Sequence, residues 1–288
     1  MNGIIAGLSS MLGWGISDFL ATKSSRRFGH LMTFFWTQVF GLLFILFYLP
    51  IKMPEIELSV IYSNLIYLIP IIIFDFIAYL SFYNGLEKGL LSLVSPISSS
   101  WVTITVLLSV IILGETLKVY QLLAIILIII GILLVSIDSN NLLASVKKMV
   151  FVPEARSGLI AMFGWGFGNF LLTPVSQSLG WFWVVVLTRI FMIIFLIFYM
   201  LIIKKSFKIN VQDSSFPLLL LMSLIDVAAY CLYCIGVSEE YTAIIAPIVA
   251  SSPLVAVILA RIFLKERIRG SQTAGIIVIL LGLILIST

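Results

Sequence analysis

Residues 74–97 read FDFIAYLSFYNGLEKGLLSLVSPI, and residues 225–248 read IDVAAYCLYCIGVSEEYTAIIAPI. Each stretch is the end of one apolar run, a short polar turn and the start of another. Asp75 sits inside the first run and Pro96 just inside the next; 151 positions later Asp226 and Pro247 take the same places. A carboxylate in hydrocarbon costs several kcal/mol, so residues of this kind mark functional sites or buried pairs. Two at matching places point to a duplicated chain with a paired site.

The composition agrees with a bilayer as the solvent. Of 288 residues, 61% are hydrophobic and 10% charged, and the mean hydropathy is +1.21. A soluble domain carries far more charge. Crossing about 30 Å of hydrocarbon takes roughly 20 apolar residues, and backbone groups there must bond internally, so the spans are helices. Hydropathy places them at 3–22, 31–50, 62–85, 91–113, 119–137, 157–176, 181–203, 214–236, 242–264 and 270–287. The first begins at Gly3 with no basic stretch before it and no small-residue cleavage site, so it reads as a retained helix. Cys231 and Cys234 lie mid-span without the polar company of a metal or redox motif and read as small helix residues. The net charge of +4 sits in loops, where it orients a membrane protein; it is no nucleic-acid signal.

Aligning 7–137 with 158–288 at the constant shift of 151 needs no gap and gives 39 identities in 131 positions. Gly13-Trp14-Gly15 meets Gly164-Trp165-Gly166; Tyr79 meets Tyr230; Glu115 and Gln121 meet Glu266 and Gln272. Matches of polar and glycine positions at one shift signal internal duplication. The expected organisation is a first five-helix repeat over 1–137, a linker over 138–156 and a second repeat over 157–288. An odd number of spans per copy sends the second through the membrane in the opposite sense. The loops agree: Lys23, Arg26 and Arg27 have no basic counterpart, whereas Lys52 is answered by Lys204, Lys205 and Lys208, and Lys118 by Lys265, Arg267 and Arg269. Thirteen basic residues fall on one face and two on the other. Positive-inside bias then puts the first loop in the cytoplasm and both termini outside.

The Trp-Gly step early in each copy carries a resemblance to a known family. So does the run VSPISSSWVTITVLLSVIILGETLKVYQLLAIILIIIGILLV, with its echo IAPIVASSPLVAVILARIFLKERIRGSQTAGIIVILLGLIL. Over nearly its whole length the chain resembles the EamA-type members of the drug/metabolite transporter superfamily. The resemblance implies ten helices as two inverted repeats around a central cavity, alternating access, and small metabolites, often exported. It also implies peripheral fifth and tenth spans. Relatives are usually drawn with both termini in the cytoplasm; the charges here give the reverse, and sidedness and direction of transport stay open.

Transporters built of repeats bind substrate near the midplane between the copies, so polar residues inside spans are the candidates. Asp75 and Gln38 fall at a common depth, as do Asp226 and Arg189. An Arg189–Asp226 ion pair is expected, making that site largely structural. Asp75 has no equally placed cation, and a carboxylate without one in hydrocarbon favours its protonated form. Two readings stand for it: a proton-coupling site, or a neutral aspartate hydrogen-bonded to Gln38 or a backbone carbonyl. Tyr79 and Tyr230 lie four residues past the aspartates and share their face. Asn84 extends that side. Asp18, with counterpart Asn169, lines the cavity or meets the Lys23–Arg27 cluster. Trp14 and Trp165, mid-helix and flanked by glycine, form cavity walls or pack helices. Pro96 and Pro247 break their helices and free a carbonyl one turn back, either as kinks or as substrate contacts. Ser98, Ser99, Ser100, Ser251 and Ser252 follow them. Glu115 and Glu266, beside Lys118 and Arg267, read as solvated orienting pairs.

The expected function is ATP-independent transport of a small organic solute, a zwitterion or amphipathic metabolite, with protons as a possible partner. The expected setting is the cell membrane, as a monomer or homodimer. No cofactor, metal or nucleic acid is expected. An intramembrane enzyme needs a nucleophile–base pair or metal cluster, which one histidine at a loop edge and two mid-span cysteines do not supply. A lipid-linked substrate or a scaffold that transports nothing is the alternative.

Overall fold

The computed structural model describes residues 2–47, 56–89, 91–136, 153–265 and 270–286, and every regular element among them is helical. The chain runs α1 Gly3–Phe28, α2 His30–Leu46, α3 Leu58–Lys88, α4 Leu91–Ser99, α5 Trp101–Ile112 and α6 Val119–Ser136. It continues with α7 Pro153–Ile202, α8 Phe216–Glu239, α9 Thr242–Ala250 and α10 Pro253–Leu259, then a π-helical turn Ala260–Leu264 and α11 Gly270–Ile286. Among the described residues six helical stretches are long and apolar enough to cross a membrane, and His30–Leu46, Val119–Val135 and Gly270–Ile286 are shorter apolar helices. Residues 137–152, most of the expected linker, lie outside the described residues, as do Lys52, Lys147, Lys148, Glu266, Arg267 and Arg269.

Helix ends depart from the hydropathy estimate where caps carry the helix past the apolar run. Asn2 accepts from the Ile4 N–H and starts α1. The helix goes one polar turn beyond residue 22, with Arg26 and Arg27 in its last turn, where cations favour the dipole. It stops at Gly29, whose φ of 85° admits no ordinary side chain. The spans expected at 157–176 and 181–203 lie in the single stretch α7, divided at Gly180 with φ 74° and ψ 154°. The helix starts at Pro153, so 153–156 are helical.

The two halves pack on each other by a reciprocal rule. A Cβ at Gly13 would lie 2.8 Å from the Ala229 Cβ, and one at Gly164 2.8 Å from the Ala78 Cβ; both members of the second pair are related to the first by the shift of 151. Gly7 against Ile245 and Ile248 repeats as Gly158 against Val94 and Ile97. In α6 and α11, Gly131 meets Ile279 and Gly275, while Gly282 meets Ile128 and Ala124. Small residues let membrane helices approach this closely. Such exchange of partners is what a two-fold relation between the halves produces.

The senses are opposite. α1 begins beside Glu240 and ends with Arg27 donating to Asp213 at 2.6 Å. The first limb of α7 begins with Glu154 beside Gly89, where Arg26 also bonds. It ends with Gln177 near Val237. One starts where the other finishes.

The breaks after the two prolines fall further along than the sequence suggests. α4 runs through Pro96 to Ser99, and α9 through Pro247 to Ala250. The Ser100 Oγ–H donates to the Pro96 carbonyl at 3.3 Å and the Ser251 Oγ–H to the Pro247 carbonyl at 2.9 Å. These equivalent serines take a carbonyl four residues back, the local competition that bends helices.

Candidate functional site

A cavity lies on the seam between the halves, lined by α1, α3, α4, α5, α7 and α8 with the α9–α10 turn. Five pairs of equivalent residues line it: Trp14 and Trp165, Asp18 and Asn169, Asp75 and Asp226, Tyr79 and Tyr230, Trp101 and Ser252. Ser17, Ala21, Phe82, Tyr83, Ser98 and Ser99 complete the wall. Its free volume is about 50 Å³, room for a few waters and too little for an organic metabolite. A ligand of that size requires the halves to part.

The pairs differ in chemistry. Asp226 is 3% exposed and accepts from the Arg189 Nη2–H at 2.7 Å. Arg189 Nη1 donates to Gln38 Oε1 at 3.1 Å and to the Thr37 carbonyl at 3.4 Å. Gln38 therefore serves Arg189, and the sequence reading that set it opposite Asp75 is corrected. α2 packs on α7 and α8 as well as on α3. Gly41 lies against the guanidinium, in a space that a side chain would fill; its counterpart is Met192. Neither Gln38 nor Arg189 lines the cavity.

Asp75 is 7% exposed and, among the described residues, makes no hydrogen bond or ion pair. Its Oδ1 lies 2.9 Å from where a Cβ of Gly168 would be. Asp18 accepts from the Ser95 Oγ–H at 2.9 Å. Tyr79 and Tyr230 line the cavity as their i+4 spacing suggests. Asn84 does not line it: nine residues past Asp75 at 3.6 residues per turn puts it on the opposite side of α3. Aromatic rings make two walls. Trp165 packs against Tyr79 at 5.2 Å and Phe82 at 5.0 Å. Trp14 lies 6.3 Å from Tyr230 and 5.5 Å from Tyr233, which Trp101 also meets at 6.2 Å.

Pro96 and Pro247 do not line the cavity. Pro96 frees the Ser92 carbonyl, and the Gln272 Nε2–H of the other half donates to it at 3.1 Å.

Both mouths are bridged between the halves. On the face of the Lys23–Arg27 cluster, Arg27 Nε and Nη2 donate to Asp213 Oδ2 at 2.8 and 2.6 Å. The guanidinium, with the Ser215 N–H also bonded, holds the Asp213 carboxyl below the usual range. On the other face Glu115 is no plain partner of Lys118. Its carboxylate accepts from the Thr242 N–H at 2.9 Å and the Ala243 N–H at 2.7 Å, capping α9, whose first-turn amides have no helical partner. Ser178 Oγ–H of the second half donates to Asn64 Oδ1 of the first at 2.9 Å. His30, expected at a loop edge, bonds through Nδ1 to Glu87 Oε2 at 2.6 Å.

Some wall residues were missed from sequence. Tyr83 follows Tyr79 by four on the Asp75 face, a signal that was there. Ser17 adjoins Asp18. Trp101 was hidden because its equivalent is Ser252.

Comparison with known proteins gives three findings. The EamA-like transporter family matches residues 1–137 and 155–288. An uncharacterized protein of Methanocaldococcus jannaschii is 51% identical over 57 residues, 20% of this chain; the chain spans 42% of that relative's length. A protein of known crystal structure superposes with a TM-score of 0.72 over 99% of this chain and 97% of its own, at 14% identity, a likeness of fold.

Proposed function

The chain belongs to the EamA-like transporter family, and on that premise we propose that it carries a small organic metabolite across the cell membrane by alternating access. Ten crossings, as inverted five-helix repeats over 1–137 and 157–288 joined by 138–156, form the two halves. Transport is secondary, in the direction of export, and Asp75 couples it to protons. The observation that supports this most is the seam cavity with its five equivalent residue pairs. A repeat-built carrier places its site there, and an intramembrane carboxylate without a counter-ion, such as Asp75, is the kind of residue that marks a transport pathway.

The bridges suggest the cycle. Opening one mouth separates Arg27 from Asp213 and Gln272 from the Ser92 carbonyl. Opening the other releases the Thr242 and Ala243 amides from Glu115 and Ser178 from Asn64. Arg27 is 61% exposed along its side chain, so water screens its bridge. Glu115 caps α9 through two backbone N–H groups, a cap worth about 0.5–2 kcal/mol. Asp75 serves as the proton site because, among the described residues, no cation pairs with it, unlike Asp226.

Uptake into proteoliposomes, with and without a pH gradient, tests the reading. Flux that depends on protein and gradient supports it. Flux indifferent to pH removes the coupling role of Asp75, and absence of flux for solutes drawn from a cell extract removes transport.

A further inference from the structure

We infer that the seam cavity is built for a hydrophobic organic cation: a protonated amine on an aromatic or aliphatic body, its ammonium on Asp75. This rests on the transport reading of the cavity and names its substrate class.

The charges of the wall carry the argument. Among the described residues its ionisable lining, tyrosines aside, is Asp18, Asp75 and Asp226, with no lysine, arginine or histidine. The nearest cation is spent behind the wall. Arg189 holds Asp226 at 2.7 Å and Gln38 at 3.1 Å, and its side chain is 3% exposed. That pair neutralises itself and leaves Asp18 and Asp75. Asp18 has the Ser95 hydroxyl. Asp75, 7% exposed, has no hydrogen-bonding partner among the described residues and borders the cavity. A buried carboxylate costs heavily unless a donor, best a charged one, meets it. A ligand ammonium supplies that donor.

The rest of the wall suits the same ligand. Trp165 with Tyr79 and Phe82, and Trp14 with Tyr230, present ring faces and edges around the aspartates. Ammonium groups bind aromatic faces, more strongly once desolvated. The wall disfavours the alternatives. An anion would meet two carboxylates and no cation. A zwitterion would find a charged partner for its ammonium and only neutral hydroxyl, amide and indole donors for its carboxylate. Arg189 does not line the cavity.

Four probes of similar shape separate these classes: phenethylammonium, phenethyl alcohol, phenylacetate and phenylalanine. Each is titrated into the purified full chain by calorimetry. The ammonium should bind at least about tenfold tighter than the alcohol and phenylalanine, a difference of about 1.4 kcal/mol. Phenylacetate should not saturate. Asp75→Asn should abolish the advantage of ammonium over alcohol. The wild-type series needs no variant, so it decides the class even if Asp75→Asn fails to fold. Phenylacetate or phenylalanine binding as tightly as the ammonium overturns the proposal. So does an ammonium advantage that survives in a folded Asp75→Asn protein, or no saturable binding by any probe. Counterflow in proteoliposomes tells this failure from that of transport. Cation-selective binding without flux sinks transport and leaves the site. Flux of other solutes without cation selectivity sinks the site class and leaves transport.

Discussion

Arg189 and Asp226 form the most deeply buried ion pair described in the chain, and breaking it should be far costlier than removing it. Their side chains are 3% and 4% exposed. Arg189 also bonds Gln38 and the Thr37 carbonyl, while its Nε has no hydrogen-bond partner. Removing one member of a buried pair typically costs about 3–5 kcal/mol, because the other charge stays buried and uncompensated. The two single variants should differ. Arginine cannot shed its proton, whereas a carboxyl can take one up. Asp226→Leu therefore falls near the upper end, about 5 kcal/mol, and Arg189→Met near the lower, about 3 kcal/mol. The double variant, which leaves no charge behind, should return to within about 1 kcal/mol of the wild type, since apolar replacement of a whole buried pair is often neutral. Equilibrium unfolding of the reconstituted protein in mixed micelles measures all four corners of the cycle. Penalties that simply add, with a double variant as weak as the sum of the singles, would refute the claim that charge compensation holds this site. Asp75→Asn, which breaks no bond among the described residues, should shift the same measurement by less than about 1 kcal/mol.

Gly131→Val should loosen α6 from α11, since its Cβ would lie 2.8 Å from the Gly275 carbonyl and 2.6 Å from Ile279 Cγ1; the same unfolding assay should show a loss of about 1–3 kcal/mol or more. Glu115→Ala strips the cap from α9 and should cost about 0.5–2 kcal/mol, with faster labelling of a cysteine placed at Thr242 on that mouth. The Arg27–Asp213 bridge should respond to pH in one direction. Because Asp213 is held below its ordinary range, its contribution is complete above about pH 4, the unfolded carboxyl value, and fades as pH falls through the folded value. The stability gap between wild type and Arg27→Gln should therefore stay constant from neutral to mildly acidic pH and close only in stronger acid.

Much of this architecture was legible because the chain carries two copies of its own pattern. The shift of 151 that aligns Gly13 with Gly164 in sequence also pairs their contacts in space, Ala229 with Ala78. Hydropathy placed the helices well and their ends less well, since Gly29 and Gly180 stop helices by conformation, not polarity. The site was legible where the copies agree: both aspartates, both tyrosines and both tryptophans line one cavity. It was hidden where they differ. Trp101 lines the wall opposite a serine, and Gln38 was assigned to Asp75 by depth alone. Depth counted along a helix fixes height in the membrane but not the side a residue faces, and Gln38 faces Arg189. Asn84 failed for the same reason. Glu115 looked like a surface charge beside Lys118, because nothing local shows that a helix start from the other half ends there.

The central claim is that solute crosses at the seam between the halves. Proteoliposomes loaded with phenethylammonium and exposed to trace labelled phenethylammonium outside measure it directly by counterflow. The account predicts transient accumulation of label with the wild type and with Leu123→Ala, an exposed position on α6. It predicts loss of accumulation with folded Asp75→Asn and Trp165→Ala. Accumulation undiminished in both cavity variants would contradict it.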